Sequence, residues 1–163
     1  MLRFLSIAMI PLAAISPANL AAQRAGDPPT VAVTATVGGK SYEGTGRGTC
    51  RHTPDASIYD VPAALWMVEQ GGSSNGALKA LHLTLWRPKN GGPDQVSLAL
   101  ETRSSNHQIS VGGKARQVGS AKAKLSSVGS GGRFQLKGTD AKGMKILLTI
   151  TCTAFAGIEA EGG

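Results

Sequence analysis

The sequence predicts an all-β protein, an antiparallel β-sandwich of about eight or nine short strands closed by one disulfide. Three observations carry that expectation. Apolar and polar residues alternate with a period of two from Val31 onward, and Gly, Pro and Asn turns punctuate the alternation. Cys50 and Cys152 are the only two cysteines, so a single intramolecular pairing exists. The composition agrees: 22 glycines in 163 residues and only 4% aromatics describe many turns around a core of small aliphatics.

The pairing presupposes an oxidising compartment, and the N-terminus supplies the argument for one. In MLRFLSIAMIPLAAISPANLAAQ, Arg3 precedes an apolar run that ends near Ile15, and small residues follow. That is the order of a secretory signal peptide, and the run is shorter than the ~20 residues that span a bilayer. Cleavage after Ala22 leaves a flexible segment over 23–30, one sandwich domain over 31–156 and a flexible tail over 157–163. The expected location is periplasmic or secreted, with no transmembrane segment. There the disulfide forms, and the chain-entropy model assigns such a long loop roughly 4 to 5 kcal/mol.

Along the chain, Val31 to Val37 alternates, turns at Gly38-Gly39 and returns from Lys40 to Cys50. Gly44, Gly46 and Gly48 leave one face of the return strand bare, so a bulky neighbour or another backbone is expected across it. A loop over Arg51 to Pro62 leads to a buried strand from Ala63 to Glu69. Leu81, Leu83 and Leu85 pair as a hairpin with Val96, Leu98 and Leu100, although Ala77 to Leu83 also suits a short helix. His107, Ile109 and Val111 continue the period, as do Ala121, Ala123 and Leu125. A final hairpin joins Gly132–Gly138 to Met144–Phe155, with Ile146, Leu148, Ile150 and Cys152 facing inward.

Candidate chemistry is sparse. Gly72-Ser-Ser-Asn-Gly76 places Ser74 at nucleophile-elbow spacing, and Asp94 and His107 follow in hydrolase order, but no βαβ pattern frames them. Gly44-Thr-Gly-Arg-Gly48 lacks the last glycine and the helix of a dinucleotide site. Asp55, Asp60, Glu69, Asp94 and Glu101 form no marked pair for glycoside hydrolysis. Cys50 and His52 have no further ligands at zinc spacing, so neither metal nor cofactor is expected. The long 51–62 loop gathers His52, Asp55, Tyr59 and Asp60 and is the first place to look for a binding site.

The net charge is +7, and Lys114, Arg116, Lys122 and Lys124 are its densest region, joined by Lys137, Lys142 and Lys145. Such a stripe suits an anionic partner, or it protects sheet edges. No aromatic interleaves it between 103 and 133, so specific nucleic-acid binding is not expected.

Val37-Gly-Gly-Lys40, the cysteine ten residues on, and the closing Thr151-Cys152 resemble the mycobacterial 19 kDa lipoprotein antigen family. The chain departs from that family in lacking the lipobox cysteine. The resemblance implies a β-sandwich surface protein without a catalytic site, and carries over no functional residue. The sequence thus reads as a small exported protein with a non-enzymatic binding or envelope role. Its partner would be a protein or an anionic envelope polysaccharide. The alternatives are a secreted serine hydrolase using Ser74 and a secreted protease inhibitor. The mature protein should begin within a few residues of Gln23, and N-terminal sequencing of exported material checks this; an intact Met1 would contradict export by this route.

Overall fold

The computed structural model describes residues 30–71, 77–114 and 116–158; the segment 1–22, expected to be a signal peptide, and Ser74 lie outside them. Ten strands follow in order: β1 Thr30–Val37, β2 Lys40–Ile58, β3 Val61–Gly71, β4 Leu78–Pro88, β5 Gln95–Thr102, β6 Asn106–Val111, β7 Ser120–Val128, β8 Gly131–Thr139, β9 Lys145–Cys152 and β10 Ala156–Gly157. No helix occurs among the described residues, so the Ala77–Leu83 stretch resolves as strand. The Leu-x-Leu-x-Leu alternation there needs period two to bury Leu81, Leu83 and Leu85 together, and a helix would scatter them.

The strands form one sheet, in the order β6-β5-β4-β3-β2-β1-β9-β8-β7, with β10 pairing β2 in parallel. The expected two-sheet sandwich is therefore corrected to a single antiparallel sheet curled into a half-barrel. Alternation assigns a side chain to an inner or an outer face, and both architectures have the same two faces. The curl comes from β2, which pairs with β1 from Lys40 to Arg47 and with β3 from Gly48 to Ile58. One long strand thus turns the corner that a sandwich would divide between two sheets.

The bare glycine face lies at this corner. A Cβ on Gly48 would fall 2.6 Å from both the Glu69 carbonyl oxygen and Val31 Cγ2. Across Gly44 lie Leu78 and the side-chain amide of Gln70. Gln70 is buried and donates from Nε2 to the Val31 carbonyl at 3.2 Å. The expected occupants of the glycine row are thus one amide, two aliphatic side chains and a neighbouring backbone.

The core fills the concave side. Val31, Val33, Ala35 and Val37 of β1 face Leu81, Leu83 and Leu85, and Ile146, Leu148 and Ile150 complete it from β9. The leucine hairpin has the predicted register: Leu85 opposite Val96, Leu83 opposite Leu98 and Leu81 opposite Leu100. Gly38 and Gly39, with φ of 55° and 86°, make the tight two-residue link that a hairpin of this twist favours.

Cys50 and Cys152 are bonded, with Cα atoms 6.1 Å apart and a sequence separation of 102. β1 separates β2 from β9 only as far as Thr30, opposite Arg47. Beyond that point β2 and β9 converge, and the disulfide joins them where hydrogen bonds do not. Ala156 and Gly157 then pair beside Arg51 and His52, so ordered structure reaches into the segment expected as a free tail. Both sulfurs are in the core, so Cys50→Ala with Cys152→Ala should lower stability by about 2 to 5 kcal/mol. Urea denaturation of the exported protein measures that loss, and an unchanged midpoint would show the bridge to be dispensable.

Candidate functional site

The two outer strands of the sheet, β6 and β7, meet at a seam. Their only backbone link among the described residues is a bridge in which Ser110 and Val118 each donate N–H to the other's carbonyl at 2.8 Å. Side chains reinforce it. His107, on β6, has the same parity as Ile109 and points inward, where Nδ1 lies 2.7 Å from Oδ2 of Asp140 in the β8–β9 turn. Its Nε2 lies 2.8 Å from Ser105 Oγ in the β5–β6 turn.

Each turn is built to hold its residue. Thr102 Oγ1 accepts the N–H of Ser105 at 3.1 Å and donates to the Ser105 carbonyl at 3.0 Å, which closes the β5–β6 hairpin. Asp140 Oδ1 accepts the N–H groups of Lys142 and Met144, both at 2.8 Å. The Asp140 backbone N–H also reaches the Met144 carbonyl at 3.0 Å. Burial alone would push the Asp140 carboxyl up. The hydrogen bond from His107 and the N–H groups of Met144 and Lys142 outweigh that, and hold it below its ordinary value. An ionised carboxylate only accepts, so Nδ1 carries the proton, and in the neutral ring Nε2 accepts from Ser105. The result is a hydroxyl–imidazole–carboxylate relay across the seam.

A second feature occupies the convex side. Lys122 on β7 lies directly opposite Lys137 on β8, and Lys124 lies opposite Gln135. With Gln135, Leu147 and Thr149 these lysines line a groove of about 580 Å³. Leu147 is 50% exposed, high for a leucine inside a central strand. None of the three lysines joins an ion pair among the described residues, where the pairs are Arg87–Asp94, Lys89–Asp55 and His107–Asp140. Like charges placed opposite one another destabilise a sheet unless something else neutralises them.

The structure does not gather the four residues of the expected 51–62 loop. That segment is strand, interrupted by a bulge between Thr53 and Ala56 that absorbs Pro54, whose missing N–H cannot join a ladder. His52 stacks on Trp66, with ring centroids 4.6 Å apart and planes 4° apart, and its Nδ1 meets the Leu65 carbonyl at 3.0 Å. Phe155 lies beside it, and Arg87 sits 5.5 Å over the Trp66 ring. Asp55 is exposed at the bulge and pairs with Lys89 at 2.8 Å. Tyr59 and Asp60 form the β2–β3 turn with φ of 49° and 64°, and Tyr59 is capped by Lys114 at 5.0 Å. His52 is thus part of an aromatic cluster, while Tyr59 and Asp60 are at a hairpin tip.

Asp94, which follows Ser74 in hydrolase order, does not meet His107: it holds Arg87 through two hydrogen bonds of 3.0 and 2.9 Å, which raise the Arg87 pKa. Asp140 takes the role the sequence order gave to Asp94, and Ser105, two residues before His107, takes the place beside its ring. Spacing could have suggested Ser105, since residues two apart share a face of a strand. Nothing local points to Asp140, which lies 33 residues from His107 in sequence. The basic stripe is likewise divided, because Lys114 turns to Tyr59 while Lys122, Lys124 and Lys137 share the groove.

No protein-family profile, curated protein or solved structure matches the chain.

The relay makes a pH-dependent contribution to stability. A carboxyl whose folded pKa is depressed adds stability above its unfolded value, near 3.8, and loses it as pH falls towards the folded value. The protein should therefore weaken below about pH 4 through this group. Asp140→Ala, which strands three donors, should cost about 3 to 5 kcal/mol at neutral pH and flatten that acid limb. Denaturation midpoints between pH 3 and 7 measure both effects.

Proposed function

We propose that the chain is an exported protein with a binding role at the cell envelope, and that its working surface is the lysine groove on β7–β9. Its partner is an anionic polysaccharide. The Cys50–Cys152 bridge supports an oxidising compartment, and the N-terminal sequence supplies the route to it. The location is then periplasmic or secreted.

The observation that carries the binding reading is Lys137. Lysines that only protect an edge belong on the outermost strand, and Lys122 and Lys124 on β7 could serve that purpose. β8 is interior, paired on both sides, so Lys137 protects no edge. Its ammonium instead adds to the two from β7 around an exposed Leu147. Three unpaired cations over a partly apolar floor match a polymer that repeats a negative charge along an apolar sugar face. Gln135 and Thr149 add neutral hydrogen-bonding groups to the same groove.

The mature protein should bind immobilised heparin, used as a generic anionic polysaccharide, and elute with salt. Replacing Lys122, Lys124 and Lys137 with Gln should abolish retention at about 0.15 M salt, where an extended cluster still acts over roughly 8 Å. A control replacing Lys40 and Lys79, both outside the groove, should elute close to wild type. Equal losses in the two variants would reduce the effect to net charge and remove the groove from the account.

A further inference from the structure

We propose that Ser105 is an activated nucleophile, forming with His107 and Asp140 a small acyl-transfer site at the seam of the sheet. This inference goes beyond the binding reading and does not depend on it.

The geometry assigns three distinct roles. Ser105 Oγ and His107 Nε2 are 2.8 Å apart, and His107 Nδ1 and Asp140 Oδ2 are 2.7 Å apart. These are the distances at which a general base takes a hydroxyl proton while a carboxylate fixes its tautomer. Exposure follows the same order. The side chains of Asp140 and His107 are 2% and 5% exposed, and Ser105 is half-buried, so the nucleophile alone reaches towards solvent. The direction of the Ser105 proton is also determined. The single Thr102 hydroxyl proton goes to the Ser105 carbonyl at 3.0 Å, and Thr102 Oγ1 already accepts the Ser105 N–H. The more basic and nearer acceptor for the Ser105 hydroxyl is the imidazole, at 2.8 Å against 3.2 Å for Thr102 Oγ1.

The step balances without any co-reactant except water. Ser105 Oγ bonds to the carbonyl carbon of an ester as its proton passes to His107 Nε2. The tetrahedral adduct collapses, the bond from carbon to the leaving oxygen breaks, and Nε2 returns the proton to that oxygen. A water molecule then attacks the acyl-serine by the same route and releases the carboxylic acid. Asp140 remains ionised throughout and acts as a positioning residue, because it touches only His107 and the backbone of its own turn. Ser105 sits half-buried on a tight hairpin, so the substrate class is a compact, short-chain acyl ester.

The test is covalent labelling of the folded, full mature protein with diisopropyl fluorophosphate, read by intact mass and peptide mapping. One adduct on Ser105 is expected, absent in Ser105→Ala and absent after unfolding in urea. His107→Gln and Asp140→Asn should each slow labelling by about a hundred-fold. 4-Nitrophenyl acetate should give a burst of one equivalent that Ser105→Ala removes while its circular dichroism stays unchanged. A folded wild type that takes no label would overturn the proposal. So would an adduct mapped to another residue, or one that forms equally fast in a folded His107→Gln protein. In those cases the three side chains serve only to fasten the seam.

Discussion

The length of the link between β6 and β7 constrains everything else. These strands end opposite sides of a nine-strand path, and flat they would lie about 38 Å apart at the usual ~4.8 Å spacing. The chain from Val111 to Ser120 can reach only about 31 Å when fully extended. A flat sheet is therefore impossible, and the Ser110–Val118 bridge shows how far the curl proceeds. The bend must be taken up somewhere, and β2 takes it. Its Gly48 allows the β3 backbone and the Val31 side chain to approach to distances at which a Cβ would collide. Cys50 follows directly in the same strand, so the disulfide fastens the sheet at its point of greatest change in direction.

Curling also divides the chemistry of the molecule. The concave side is a continuous aliphatic core, and among the described residues the buried side-chain atom without a hydrogen-bond partner is the Oε1 of Gln70. An unpartnered buried pair of ionisable groups would cost several kcal/mol. Asp140 avoids that through two backbone donors and the His107 ring, which is why a carboxylate can occupy the seam at all. The relay is thus both a fastening between the two halves of the meander and a place where a hydroxyl meets a basic nitrogen.

The convex side has no core to form, and its residues answer to solvent and to partners. There the register sets Lys122 against Lys137, an arrangement that weakens the sheet slightly and concentrates positive charge. The seam and the groove are close in the chain: Lys137 precedes Asp140 by three residues, on the strand that leads into the turn.

By itself the sequence determined the all-β class, the inward faces, the leucine hairpin and the cysteine pairing. Each of these depends on local periodicity or on the count of one residue type. Val31 to Val37 and Ile146 to Cys152 could be read as inward-facing because alternate side chains on a strand point to opposite faces, whatever the strand packs against. The glycine row at Gly44, Gly46 and Gly48 announced a close approach, but not that Gln70, Leu78 and Val31 would make it. Only the tertiary structure decided that one sheet curls where two were expected, since an inner face looks the same in either. It alone turned the 51–62 loop into a bulged strand, because Pro54 marks an interruption of the ladder and not its length. It also set Asp140 beside His107 and brought Lys137 to Lys122. Such pairings rest on strand order and register, which join residues far apart in the chain and leave no mark on the residues near either one.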